Sequence, residues 1–231
     1  MAAARVTREH GRCPRGQTSA GPVLSHRHAE RVATGNLSFV PSRLRCAMPR
    51  LLLTRHSEAA ARADQGDLKR PLTERGRADA ARMGIYCRVS GLIPELAVVS
   101  PARRARDTLD IMAREFPQKP ACQIEDLLYD SDLDTLRNLL EGTSASVKTL
   151  LIVGHNPGLA EFTHFLMGGE SSAPLIHFPA PCLALIHFAR GDWIEAGHGG
   201  GRLDRFMNFS CVPADDLLAR SSASRPDRHS D

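Results

Sequence analysis

An α/β fold, with a mainly parallel sheet covered by helices on both faces, is what this 231-residue sequence predicts. Three observations carry the prediction. Short apolar runs at 51–54, 96–99, 148–154 and 182–188 have the length of buried strands. Stretches of helical length lie between them, several opened by a capping residue. Parallel neighbours need crossover connections, and strand alternating with helix supplies them.

Composition bounds the rest. A hydrophobic share of 42% with 24% charged residues is ordinary for a globular protein. The net charge of +4 is unevenly placed. Residues 1–50 carry nine Arg and no Lys against Glu9 and Glu30, a net +7, whereas the remaining 181 residues carry 21 bases and 24 acids. The basic character belongs to the start of the chain, so it does not argue for nucleic-acid binding by the domain. Six scattered cysteines without a C-x-x-C pair argue for free thiols in a reducing cytoplasm over a disulfide scaffold or zinc site. Apolar stretches reach only about eight residues, too few to span a membrane.

Residues 1–47 mix Arg, Gly, Pro, Ser and His without periodicity, and few large apolar residues precede Leu37. Such a segment cannot offset its ordering entropy, and a disordered N-terminal extension is expected. Its Arg-rich, acid-poor character also resembles a transit peptide, and Met48 is an alternative start. Residues 48–212 are then the domain, and 213–231 a flexible tail.

The first strand, 51–54, ends in Arg55-His56. A polar connection leads to Thr73, read as the N-cap of a helix whose apolar face is Ala78, Ala81, Met83, Ile85 and Val89. The second strand, 96–99, is followed by Ser100-Pro101, an N-cap and first-turn pair that opens a helix bearing Arg103, Arg104 and Arg106. A weak third strand fits 121–124. Asp132 or Asp134 begins a helix that Gly142 ends. The strand at 148–154 delivers Gly154-His155, and Asn156-Pro157-Gly158 turns it into a helix ending at Gly168-Gly169. After the strand at 182–188, residues 193–196 and 205–209 read as late edge strands.

The chemistry lies at the strand ends. Open α/β sheets gather their functional groups at the carboxyl edge, where Arg55-His56, Ser100 with Arg104, and Gly154-His155 would meet. Two guanidiniums and two imidazoles there make a compact cationic pocket. Guanidinium forks match phosphate oxygens, and helix starts after Ser100 and Asn156 add backbone donors. A phosphoryl-binding pocket follows, with one imidazole free to act as nucleophile.

The runs Arg55-His56-Ser57-Glu58, Ser100-Pro101 through Arg104 to Thr108, and Gly154-His155-Asn156-Pro157 resemble the histidine phosphatase superfamily. With Arg70-Pro71-Leu72-Thr73 and the compact length, they resemble its small phosphohistidine phosphatase (SixA-type) branch. The resemblance implies a phosphoglycerate mutase-like, three-layer α/β/α sandwich with a mainly parallel mixed sheet, one strand running against the others. It implies His56 as the nucleophile, with Arg55, Arg104 and His155 binding the phosphoryl group and Ser57 and Asn156 among the substrate contacts. His56 would attack through an unprotonated nitrogen while its other nitrogen donates to a backbone carbonyl. The two guanidiniums would help keep it neutral. No metal or cofactor is called for.

A general acid is harder to place. Glu125, Asp126, Asp130 and, more weakly, Glu58 are the carboxylates on offer. An alkoxide leaving group needs a proton badly, whereas imidazole, with a conjugate-acid pKa of roughly 6.5, departs easily. The expected substrate is therefore a phosphohistidine-bearing protein, such as a histidine kinase or phosphotransfer domain, with neither nucleic acid nor membrane as partner. The alternatives are a small-molecule phosphomonoesterase and an inactive phosphate-binding module. Retention of both Arg and both His weighs against the last.

Overall fold

Residues 48–169, 177–189 and 192–210 are described by a computed structural model. The expectations for 1–47 and 213–231 lie outside these residues. The six strands are β1 (Arg50–Arg55), β2 (Leu96–Val99), β3 (Ala121–Ile124), β4 (Thr149–Gly154), β5 (Cys182–Phe188) and β6 (Gly201–Asn208). They form one sheet in the order β3-β2-β4-β1-β5-β6. Strands β1 to β4 pair parallel. Strand β5 is antiparallel to both β1 and β6, so it alone runs against the others. The mixed, mainly parallel sheet is as expected.

The helices are α1 (Glu74–Val89), α2 (Arg103–Ala113), α3 (Leu133–Glu141), α4 (Gly158–Leu166) and the single-turn α5 (Trp193–Ala196). Period-two alternation along the central strands splits the core into two faces. Leu51, Leu53, Leu150 and Ile152 pack with Leu136 and Leu140 of α3, Phe162 and Leu166 of α4, and Trp193. Leu52, Leu151 and Val153 pack with Met83 and Cys87 of α1 and Leu109 and Met112 of α2. Both faces are buried, which is why these strands read as continuous apolar runs. The result is the three-layer α/β/α sandwich.

Helix caps follow the sequence closely in two places. Thr73 accepts from the Gly76 amide and Asp132 from the Thr135 amide. The weak third strand is real, an exposed edge strand.

Three expectations are corrected. The buried face of α1 is Gly76, Asp79, Ala80, Met83, Gly84, Tyr86 and Cys87, while Ala78 is exposed and Ala81, Ile85 and Val89 are half-buried. Small residues win there because α1 lies close against its neighbours: a Cβ on Gly84 would stand 2.6 Å from the Met112 carbonyl oxygen. The segment at 193–196 is helical, not a strand. Asp192 caps it by accepting from the Glu195 amide at 2.7 Å, and the Trp193 indole N–H donates to the Val147 carbonyl at 2.8 Å. Helix α2 begins two residues after Pro101, because Ser100 is committed elsewhere.

Candidate active site

The order β2-β4-β1 puts three carboxyl ends side by side. Arg55 pairs with Gly154 across the sheet, so His56 and His155 follow as neighbours, their ring centroids 5.0 Å apart. The His56 amide donates to the Gly154 carbonyl and the Ser100 amide to the Val153 carbonyl, which carries the sheet's alignment into the site. His56, Arg104 and His155 are all buried, with relative exposures of 8%, 6% and 8%.

Each imidazole is fixed at both nitrogens. His56 Nδ1–H donates to the Ser57 carbonyl at 2.7 Å, and its Nε2 accepts from Arg104 Nε at 3.1 Å. The unprotonated nitrogen of His56 is therefore Nε2. In His155, Nδ1 accepts from Arg104 Nη2 at 3.5 Å, and Nε2–H donates to Ser100 Oγ at 2.8 Å. Ser100 also accepts from the Ala102 amide at 3.3 Å, so it both steadies the start of α2 and aims His155.

Burial is the main force on both rings. It pushes His56 down to about 3, against an opposing pull from the Ser57 carbonyl; His155, Arg104 and Arg55 lower it further by smaller amounts. His155 is brought down to about 4 by burial and then by Arg104, partly offset by Asp67. The expectation that the guanidiniums keep His56 neutral has the right direction, but desolvation comes first.

Arg55 is arranged differently. Its Nη1 donates to the Phe178 carbonyl at 2.7 Å, a carbonyl that also accepts from Asn156 Nδ2 at 2.9 Å. Arg55 Nε and Asn156 Oδ1 are buried without a protein partner. Ser57 is fully buried, and its amide donates to Thr108 Oγ1 at 3.0 Å. Thr108 in turn donates to the Arg104 carbonyl at 2.7 Å. Ser57 and Thr108 thus tie the end of β1 to α2 and hold the carbonyl that orients His56.

The four carboxylates considered as acids lie elsewhere. Glu58 accepts from the Thr73 hydroxyl at 2.9 Å. Glu125 caps a short 3₁₀ turn, and Asp126 and Asp130 are exposed. Among the described residues, none of the four bonds to Arg55, His56, Arg104 or His155.

A different acid does. Asp67, in a 3₁₀ turn spanning Asp67–Lys69, ion-pairs through Oδ2 with Arg104 Nη1 at 2.9 Å, and Nη1 also donates to the Asp67 carbonyl at 2.9 Å. The Tyr129 hydroxyl donates to Asp67 Oδ2 at 2.5 Å, and Arg70 Nη1 meets Oδ1 at 2.8 Å. These bonds, that from Tyr129 first, hold the Asp67 carboxyl far below the usual carboxylate range, and Asp67 pushes the Tyr129 hydroxyl up. The Tyr129 ring stands edge-on to His155, with centroids 5.6 Å apart. The sequence gives no local signal for Asp67 or Tyr129, since each is one polar residue in a polar connection.

Comparison with known proteins agrees with this geometry. A model of the histidine phosphatase superfamily (branch 1) matches residues 51–149. An uncharacterised protein of Mycobacterium leprae is 30% identical over 132 residues, covering 55% of this chain and 79% of that protein. A candidate phosphohistidine phosphatase SixA from Nakamurella multipartitia superposes with a TM-score of 0.59 at 25% identity, over 69% of this chain and 95% of its own. A similar candidate SixA from Agrobacterium tumefaciens gives 0.58 at 25% identity, over 70% and 98%. The chain belongs to the histidine phosphatase superfamily, and its fold is that of the SixA type. This makes it a hydrolase of the phosphatase class. No helix among the described residues is long and apolar enough to cross a membrane.

Proposed function

We propose that this phosphatase removes phosphate from phosphohistidine on a signalling or phosphotransfer protein of the cytoplasm, through a phosphohistidine intermediate on His56. The observation that carries the reading is the double hold on His56. Nδ1 is committed to the Ser57 carbonyl, leaving the Nε2 lone pair directed at Arg104.

An incoming phosphoryl group takes the Arg104 Nε–H onto one of its oxygens and uncovers that lone pair. Arg55, with its unpaired Nε, and His155, which takes up a proton at Nδ1 in order to donate, hold the remaining oxygens, and together the cations offset charge that spreads in a loose transition state. His56 Nε2 forms the bond to phosphorus as the bond to the leaving group breaks, the electron pair staying with the leaving group. Water then attacks the phosphorus, the P–Nε2 bond breaks, and dihydrogen phosphate leaves a neutral His56.

Among the described residues, Asp67 is the one carboxylate bonded to this centre, which favours a leaving group that departs without help. Asp67 is held ionised by its partners, so it is not a proton donor. Imidazole fits that requirement and a sugar alkoxide does not. A series of kcat/KM values across leaving-group pKa tests the reading. Phosphohistidine on a phosphotransfer domain is expected to lead, aryl phosphates to follow, and alkyl phosphates to trail. A shallow slope with sugar phosphates among the best substrates overturns it in favour of a phosphomonoesterase.

A further inference from the structure

We infer that Asp67 is a specificity residue at the mouth of the pocket, selecting a substrate whose ring is cationic until the P–N bond breaks, the phosphoimidazolium of a phosphohistidine. The inference rests on the phosphohistidine reading and says how that substrate is told apart from a phosphate ester.

The placement comes from Arg104. One guanidinium touches His56 Nε2 through Nε and Asp67 through Nη1, so nucleophile and carboxylate stand on different nitrogens of the same fork. An in-line displacement sends the leaving group away from His56. His56, Arg104 and His155 are buried, whereas the Asp67 side chain is 44% exposed and Tyr129 is half-buried. The open side of the site, where the leaving group must lie, is therefore the side that Asp67 and Tyr129 border.

Asp67 also has capacity to spare. Its Oδ2 accepts from Tyr129 and Arg104, but among the described residues Oδ1 meets only Arg70. A carboxylate oxygen accepts two hydrogen bonds, so Oδ1 keeps one acceptor position. Tyr129, Arg70, Arg104 and the nearby His155 are the groups that face this carboxylate, and the first three hold it ionised.

The charge matters because the rest of the pocket is cationic. A carboxylate at the mouth repels the negative charge that develops on the leaving oxygen of a phosphate ester and offers it no proton in return. A phosphohistidine protonated on its second ring nitrogen presents an N–H and a positive charge, which make a charge-assisted hydrogen bond with Oδ1. Holding that proton in place sets up the chemistry. The P–N bond breaks, its electron pair returns to the ring, and the group leaves as neutral imidazole with no proton transferred. His56 acquires the phosphoryl and the positive charge that the substrate ring loses, and Nδ1–H keeps its bond to Ser57. The step exchanges one phosphoimidazolium for another, so it is close to balanced in energy.

The test is Asp67→Asn, read as the ratio of kcat/KM on a phosphohistidine phosphotransfer domain to kcat/KM on p-nitrophenyl phosphate. Loss of a charge-assisted bond of about 1.5–3 kcal/mol lowers that ratio roughly 10- to 100-fold. Asp67→Glu, which keeps the charge, recovers part of the ratio. A merely structural role lowers both rates together and leaves the ratio unmoved, which overturns the inference. Should Asp67→Asn fail to fold, Tyr129→Phe frees Oδ2 from its hydroxyl partner, and the ratio is expected to hold or rise; a fall overturns the inference. Wild-type enzyme that prefers the aryl phosphate instead rejects the phosphohistidine reading itself, an outcome separate from an unmoved ratio.

Discussion

Arg104 donates from Nε to Nε2 of His56 at 3.1 Å, while the same histidine gives its Nδ1 proton to the Ser57 carbonyl at 2.7 Å. The pair assigns each partner a distinct task. His56→Ala is expected to abolish turnover, because it removes the Nε2 lone pair that attacks phosphorus. Arg104→Ala should lower kcat about 10²- to 10³-fold through lost charge stabilisation. Acid-labile, alkali-stable radiolabel on quenched enzyme, absent from His56→Ala, checks the intermediate. Label persisting in His56→Ala sinks the mechanism.

Burial of two neutral imidazoles makes stability depend on pH. With folded values of about 3 and 4, His56 and His155 stay uncharged at acidities where an unfolded chain protonates its histidines. Below about pH 6.5 the unfolded state binds protons that the folded state does not, so stability falls on acidification. The loss approaches about 2 kcal/mol per histidine by pH 5 and stops growing only below the folded values. Urea melts at pH 7 and pH 5 measure the sum, and NMR titration of the two rings should find both neutral at pH 5. Either ring titrating near 6.5 contradicts this account.

Much of this was legible in the sequence, for reasons tied to particular residues. Leu51 to Thr54 and Thr149 to Val153 are buried on both faces, so their apolar runs declare strands, and the polar residues that end them declare the functional edge. The capping residues Thr73 and Asp132 act locally and were readable for that reason. What stayed hidden depends on packing across the fold. Asp67 and Tyr129 are 62 residues apart and meet only because the sheet order brings their loops together. The buried face of α1 escaped hydropathy because Gly76, Ala80, Gly84 and the charged Asp79 share it with Met83, Tyr86 and Cys87. Ser100 looked like a helix cap and proved to be a histidine's partner.

Thr108 bridges the nucleophile's strand and the helix of Arg104, accepting from the Ser57 amide and donating to the Arg104 carbonyl. Thr108→Val keeps the shape and removes the acceptor, leaving a buried amide unsatisfied. The expected destabilisation is about 1–3 kcal/mol. Because Ser57 also holds Nδ1 of His56, kcat should fall while KM changes little. Thr108→Ser, which restores the hydroxyl, should recover most of kcat. An unchanged kcat in Thr108→Val would show that Ser57 holds its place without help.

Two glycines of α1 separate stability from catalysis. A Cβ on Gly84 would press on the Met112 carbonyl of α2, at 2.6 Å. A Cβ on Gly76 would stand 2.0 Å from the Glu58 carbonyl oxygen, in the segment that follows Ser57. That carbonyl already accepts from the Thr73 amide at 3.0 Å, so the segment has little room to retreat. In an exposed helix, Gly→Ala gains about 1 kcal/mol, but overpacking against backbone costs about 1–3 kcal/mol, and both substitutions should therefore destabilise. Their effects on rate should diverge. Gly84→Ala moves α1 against α2 at Met112, near the opposite end of that helix from Arg104, and should leave kcat within about threefold at temperatures where the protein is folded. Gly76→Ala displaces Glu58 and with it the Ser57 carbonyl, so Nδ1 of His56 loses its alignment and kcat should drop at least about tenfold. Since 10-fold in rate is only about 1.4 kcal/mol, a small shift of one carbonyl suffices. Thermal melts give the first comparison and single-turnover kinetics the second. Equal rates in the two variants would disconnect the 57–60 segment from the aim of the nucleophile.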